Sequence, residues 1–328
     1  MREGKFVETK KEATNTFIER GPGVSEEEFD KGTFDYQKQR QRRGELARSL
    51  GVAEYVKEPS PRQEKIIVET LAAAEEVINQ YSPKQVRLSK DNIFLLRKED
   101  AVKRFGIDDD EGGRANIQGG VFVYTSPTIT DSKLAHYTAH ELVHHASFQR
   151  NRVLKEESGK NIYGVPDRAG LTIGDPYKGF NPEEGGHNYF EALNEAVTEQ
   201  IAIEIVALLK RKTRLLDEDY EILERVYGID SPRYSLGKHV EKPEHDDQYV
   251  YTDSYADRVD ALRTTCQELY EKNRERFGSP QEVFHVFAEA YFSGKLLTLA
   301  RLIEKNYGKG AFRFLADYEN NGEWRKGE

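Results

Sequence analysis

The chain has 328 residues, enough for one large domain or two with ample material for a core. Its 58 acidic and 49 basic residues leave a net charge of −9, which argues against a nucleic-acid binder with its basic footprint. The lone cysteine, Cys266, excludes an intrachain disulfide, and no stretch of eighteen apolar residues offers a membrane span.

In chain order, residues 1–60 are polar and charged, and the apolar deficit of the sequence concentrates there. The first 34 residues are expected to be flexible, followed by a charged helix over 36–50. Lys38, Arg40, Arg42, Arg43 and Arg48 read as a solvated face of that helix and not as a binding patch. Met1 to Lys5 leads into no apolar run, so no secretory signal is expected and cytoplasmic residence is the default. Pro59, Ser60 and Pro61 punctuate the chain before an amphipathic helix over 62–81, whose stripe is Ile66, Ile67, Leu71, Ala74, Val77 and Ile78. Ile93 to Leu96 reads as a short buried strand. Asp108 to Gly113 reads as a turn; it fails as an EF-hand loop because Gly112 and Gly119 fall where the fifth and twelfth ligands belong. Gly119 to Thr125 reads as a strand. Beyond residue 188 the pattern is helical, over 188–212, 217–227, 254–276, 280–291 and 294–307, with Cys266 a buried small residue in the third of these. No internal repeat is present, and neither G-x-x-x-x-G-K nor G-x-S-x-G occurs.

Two strings carry chemistry. The first is His136-Tyr137-Thr138-Ala139-His140-Glu141-Leu142-Val143-His144-His145, which holds four of the eight histidines. It contains H-E-x-x-H, and four-residue spacing on a helix places His140 and His144 one turn apart on one face. Asp131 or Ser132 can cap that helix, with Leu134, Tyr137, Leu142 and Val143 toward a core. Glu141 is rotated by about 100° from His140, so it reaches a water beside the ion and not the ion itself. His136 and His144 lie about 12 Å apart along the axis, too far to share one ion, so His136 reads as a supporting or cap-region residue. His145 faces elsewhere and reads as structural or exposed. The second string is Ala192-Leu193-Asn194-Glu195-Ala196-Val197-Thr198-Glu199. It lies on an apolar stripe of Phe190, Leu193, Val197, Ile201, Ile205 and Leu208, so its helix should be buried. Buried carboxylates need a partner or an ion. Glu195 as third ligand would leave a fourth position open, as in catalytic zinc sites, and a histidine N–H would satisfy Glu199. Glu191, one turn earlier, is the fallback third ligand.

His140-Glu141-Leu142-Val143-His144 followed by Asn194-Glu195-Ala196-Val197-Thr198-Glu199 resembles the gluzincin metallopeptidases, the thermolysin-like branch of the zincins. The likeness covers about residues 119–210. It implies an α+β zincin-like fold: an upper lobe over about 61–150 with a small sheet and the first metal helix, a cleft loop or hairpin over about 151–187, and a helical lower lobe over 188–328. It implies one Zn2+ held by His140, His144 and Glu195, Glu141 as general base, and Glu199 with Asn194 as supporting residues. Glu195 follows His144 by 51 positions, beyond the thermolysin spacing, so the chain resembles a divergent member. The family also uses a Tyr or His to hold the oxyanion. Tyr255 is the leading candidate, at a helix start with Arg258 one turn later, ahead of Tyr251, His239 and His245. Arg168 is a weaker candidate for a substrate carboxylate. In zincins the strand near the metal helix often pairs with an extended substrate, which makes 119–125 either that edge or an ordinary interior strand.

The implied partner is a peptide or protein substrate, with no nucleic acid and no membrane. Residues 1–60 are open to an inhibitory arm, a partner-docking segment or a linker. Two rivals stand beside the peptidase. One is a zinc hydrolase acting on a non-peptide amide; peptide deformylases share H-E-x-x-H, but their cysteine ligand precedes it, whereas Cys266 follows. The other is a non-catalytic zinc- or partner-binding protein, against which an intact Glu141 counts.

Overall fold

The computed structural model describes residues 4–6, 16–31, 54–105, 107, 111–115, 120–127, 129–155, 162–174, 188–227, 238–241, 250–253 and 255–316; for 4–6, 104–105, 162–163, 223–227, 238–241 and 250–253 the description covers backbone alone. The expected helix over 36–50 with its basic run, Asp108 to Asp110, most of the Gly/Pro-rich stretch before 188, and His245 lie outside these residues.

The class is α+β. Strands β1 (Gly4–Phe6) and β2 (Thr16–Arg20) precede helix α1 (Pro61–Tyr81), then β3 (Ile93–Arg97), α2 (Lys98–Phe105), β4 (Gly113–Ala115) and β5 (Val121–Thr125). Helix α3 (Asp131–Ala146) is followed by β6 (Gln149–Lys155), β7 (Ile162–Ala169) and β8 (Thr172–Ile173). Helices α4 (Glu191–Lys212) and α5 (Asp217–Tyr227), the ribbon β9 (Lys238–Glu241) with β10 (Val250–Asp253), and helices α6 (Ala256–Lys272), α7 (Pro280–Ser293), α8 (Leu296–Tyr307) and α9 (Ala311–Ala316) complete the order. Among the described residues no helix is long and apolar enough to cross a membrane.

Local chemistry sets these elements. Ser60 caps α1, accepting from the Gln63 N–H while the Gln63 side chain accepts from the Ser60 N–H, with Pro61 in the first turn. The α1 face Ile66, Ile67, Thr70, Ala74, Val77 and Ile78 is buried at helical spacing. Helix α3 begins one residue earlier than the caps expected from sequence: Thr130, and neither Asp131 nor Ser132, accepts from the Lys133 N–H. Ser132 is occupied instead, donating its N–H to Asp219 Oδ2 on α5 at 2.6 Å. Leu134, Leu142 and Val143 enter the core as expected, while Tyr137 is half-buried.

Among the described residues the strands form three sheets. In the three-stranded sheet β5 lies between β3, parallel to it, and β4, antiparallel to it. All five β5 residues are buried. So β5 takes the interior role of the two open to residues 119–125, and β4 is an outer strand of this sheet among the described residues. The five-stranded sheet has the order β1-β2-β6-β7-β8. The expectation of a flexible N-terminal segment fails for 16–20, because β2 pairs in parallel with β6 and Ile18 is buried. Long-range pairing supplies what the polar local sequence does not advertise. Strands β6 and β7, which fall mostly within the stretch read as a loop or hairpin, pair antiparallel. The ribbon β9–β10 interrupts what read as an all-helical second half.

Helix α4 lies at the centre of the main core and packs against α1, α3 and α6. Ala196, Val197, Ile201, Ala202 and Ile205 are wholly buried, as is Glu199. Each large apolar side chain buried this way stabilises by ~1.5–3 kcal/mol as an upper bound. That apolar burial offsets the cost of placing carboxylates on the same helix.

Candidate metal centre

Helices α3 and α4 bring the expected groups to one point. Nε2 of His140 lies 3.1 Å from Nε2 of His144 and 3.3 Å from Oε2 of Glu195. Nε2 of His144 lies 3.3 Å from the same oxygen. A tetrahedral ion with ligand bonds of about 2.0–2.1 Å separates its ligand atoms by roughly 3.3–3.4 Å, so this triangle matches one face of such a shell. His140, His144 and Glu195 are the cluster able to hold a metal ion among the described residues. Glu191 does not join it; it accepts a bond from Asn188.

The donor chemistry also fits a cation. Glu199, with no exposure, accepts from His140 Nδ1 at 2.9 Å. In neutral His140 that proton sits on Nδ1 and Nε2 is a bare lone pair aimed at His144 and Glu195. Three lone pairs within 3.3 Å repel unless a proton or a metal lies among them. Protonation behaviour follows. Burial opposes a charge on His140, yet bonds to Glu195 and Glu199 and the charge of Glu141 raise its pKa well above the usual imidazole value. Burial likewise works against ionised Glu195, but the His144 charge and bonds from both imidazoles hold it well below the carboxylate range.

Glu199 does more than support one ligand. Its Oε1 lies 2.9 Å from Nε2 of His136, so one carboxylate bridges two imidazoles from successive turns of α3. Burial raises its pKa, but the charge and hydrogen bond of His136, with His140 added, bring it down to about 2. The supporting role read for His136 is therefore made concrete as a contact with Glu199. His145 is buried, not exposed. Asn194 accepts from the Leu171 N–H through Oδ1 at 2.9 Å and donates from Nδ2 to Glu195 Oε1 at 3.4 Å, tying β8's approach to the ligand carboxylate.

Glu141 is buried beside the ligands without being one of them. It accepts a backbone bond from Ala115 of β4. Burial raises its pKa, the His140 and His144 charges pull it down, Glu195 pushes it up, and the net direction is upward. Gly113 allows this approach: a Cβ there would sit 2.7 Å from Glu141 Cγ and 2.8 Å from the Phe122 carbonyl.

Tyr255 begins α6 in the left-handed region, at φ 56°, and the Glu195 helix begins the same way, at Phe190 with φ 64°. For a bulky side chain that backbone costs about 1–2 kcal/mol, and tertiary contacts hold it in place. The Tyr255 ring stacks on His140, with centroids 5.6 Å apart and planes 13° from parallel, and the Arg258 guanidinium carbon lies over the same ring, 5.0 Å from its centre. At 40% exposure it is open to solvent on one side. Its phenol is pushed upward by burial and by Glu195, so it stays a neutral donor. His239 and Tyr251 lie on β9 and β10, paired strands. Arg168 leans on the Phe148 ring at 5.0 Å, and burial, with Arg150 nearby, lowers its pKa to about 10.

Sequence reasoning gave no role to Tyr291 of α7. It is fully buried, and its hydroxyl meets Thr198 Oγ1 at 2.9 Å and His144 Nδ1 at 3.4 Å. A single hydroxyl among Val283, Phe284, Phe287 and Phe292 was the available signal, since a buried tyrosine needs a partner. Comparisons with protein-family models, with curated proteins and with solved structures return no match.

Proposed function

We propose that the chain is a zinc metallopeptidase with a zincin-like fold of the gluzincin kind, cleaving peptide bonds. The observation that carries this reading is the triangle of His140, His144 and Glu195 with buried Glu141 beside it and Glu199 behind His140. Two neutral imidazoles and one carboxylate suit zinc and leave a coordination position free. His140, His144 and Glu195 would hold the zinc, which when bound would supply Lewis acidity and lower the pKa of water toward about 7.

The residues divide the remaining work. Glu141, its pKa raised by burial, takes a proton from the attacking water and returns it to the leaving amine. Its bond from Ala115 fixes the carboxylate against the β4 edge. That edge, with Arg114 between Gly113 and Ala115, is where an extended peptide would add as a strand, its backbone held and its alternate side chains read. Tyr255, neutral and stacked on His140, is the donor for the developing oxyanion.

The test is metal content and hydrolysis of a peptide library by wild type and by Glu141→Gln. One zinc per chain in both, with turnover lowered by roughly 10²–10⁴-fold or more in the variant, is the expected outcome. Zinc without turnover in wild type would leave a zinc-binding protein that is not a peptidase. No zinc after reconstitution would remove both.

A further inference from the structure

The two ligand imidazoles are backed differently. His140 donates from Nδ1 to a carboxylate, whereas Nδ1 of His144 faces the Tyr291 phenol, a group able to donate or accept. The neighbours of the phenol decide which it does. Thr198 Oγ1 donates to the Asn194 carbonyl at 2.9 Å, so its single proton is committed. Ser147 Oγ, near the phenol, donates to the His144 carbonyl at 2.7 Å. Both hydroxyls therefore offer Tyr291 only lone pairs. The phenol proton goes to Thr198 Oγ1, 2.9 Å away. The phenol oxygen then presents lone pairs to His144, and Nδ1 must carry the hydrogen. In a neutral ring that leaves Nε2 bare, and Nε2 is the atom facing His140 and Glu195.

We propose that Tyr291, oriented by Thr198, is a positioning residue that fixes the tautomer of His144 in the form competent to bind a metal. The proposal rests on the metal-site reading above and extends it to a residue from a third helix, α7. The placement is built in. The Tyr291 carbonyl accepts from the Phe148 N–H at 3.2 Å, just past the end of α3. Gly170, at φ +57°, passes so close that a Cβ there would lie 2.6 Å from the Tyr291 ring and 2.4 Å from Asn194 Oδ1. Thr198 sits between Glu195 and Glu199 on α4, so one turn of that helix supplies a ligand, the support for His140 and the orienter of Tyr291. The asymmetry has a consequence: a carboxylate makes its imidazole the more basic ligand, while a neutral phenol sets geometry without adding a further negative charge.

The test uses the full chain, with Tyr291→Phe and Thr198→Val, both of which keep the shape of the side chain. Imidazole nitrogen shifts of the metal-free protein report the His144 tautomer. Zinc affinity is read by competition with a chelator. Wild type should hold His144 as the Nδ1–H form, with the proton among the three facing atoms on His140 Nε2, since both ring nitrogens of His140 face carboxylates. Tyr291→Phe should populate the Nε2–H form and weaken zinc about 10–100-fold, as loss of an outer partner does. Thr198→Val should shift both readouts the same way by less, since Ser147 can still accept from the phenol. An Nε2–H form in wild type, a tautomer unmoved in Tyr291→Phe, or a changed affinity with an unchanged tautomer would each overturn the proposal. Failure of wild type to bind zinc would instead strike the metal-site reading, because the tautomer is measured without metal.

Discussion

Two buried clusters of charge in this molecule are built on opposite terms. In the five-stranded sheet, Arg150 grips Asp167 through two bonds of 2.9 Å, while Arg152 lies 3.3 Å from both Asp167 and Glu19. Two guanidinium groups meet two carboxylates, and Arg168 lies close enough to act on Arg150 and Asp167, so both carboxylates are fully matched by positive charge. At the metal centre Glu141, Glu195 and Glu199 are gathered with imidazoles that are neutral in their ordinary state. That cluster closes only when protons or a cation are added. A self-neutralised cluster holds a sheet together; one left short of positive charge is a place for a ligand.

The difference can be broken from either side. The largest effect should come from Glu195→Ala. It should reduce zinc from one per chain to near none and abolish hydrolysis. A fully loaded variant by elemental analysis would mean Glu195 is not a ligand. Asp167→Ala should do the reverse. Removing one partner from a closed cluster leaves buried guanidinium charge uncompensated, so unfolding by denaturant should show a loss of about 3–5 kcal/mol. Zinc affinity per folded molecule should not move, and a loss there would show that the two clusters are coupled.

Gly113→Ala sharpens the comparison within the site. The added methyl meets Glu141 Cγ and the Phe122 carbonyl, so the base must shift while the ligands do not. Turnover should fall by up to roughly 10²-fold with zinc retained, and unchanged turnover would show that β4 does not position Glu141. The smallest effect is a proton count. His140 has a raised pKa in the folded, metal-free chain, so its pairing with Glu195 and Glu199 stabilises fully below the ordinary imidazole pKa and fades as pH rises through the raised value. Between those limits a proton occupies the site, and zinc must displace it. Calorimetry at pH 7 in two buffers of different ionisation enthalpy should therefore show proton release on zinc binding. Identical heats after buffer correction for zero protons would contradict the raised pKa.

The helices were legible because their signals are local. The stripe Ile66, Ile67, Ala74, Val77 and Ile78 after the Pro59-Ser60-Pro61 punctuation gave α1 nearly to the residue, and helix α5 falls at 217–227 as read. The sheets were less so. Thr16 to Arg20 alternates weakly and carries Glu19 and Arg20; only pairing with β6 makes it a strand, and only Arg152 makes Glu19 at home inside. Strand β4 is three residues long and was hidden next to a glycine-rich turn, so the edge beside Glu141 was sought one strand too far along, at β5.

By itself the sequence determined that His140 and His144 share a helix face and that Glu195 and Glu199 share another on an apolar helix, because a 3.6-residue repeat converts spacing into direction. Tertiary structure alone decided that the two faces meet, that Glu199 bridges His136 and His140, that Gly113 admits Glu141, and that Tyr291 answers His144 from 147 residues away. Those contacts depend on the packing of α3, α4 and α7 into one core, and packing joins residues whose separation along the chain carries no periodic signal.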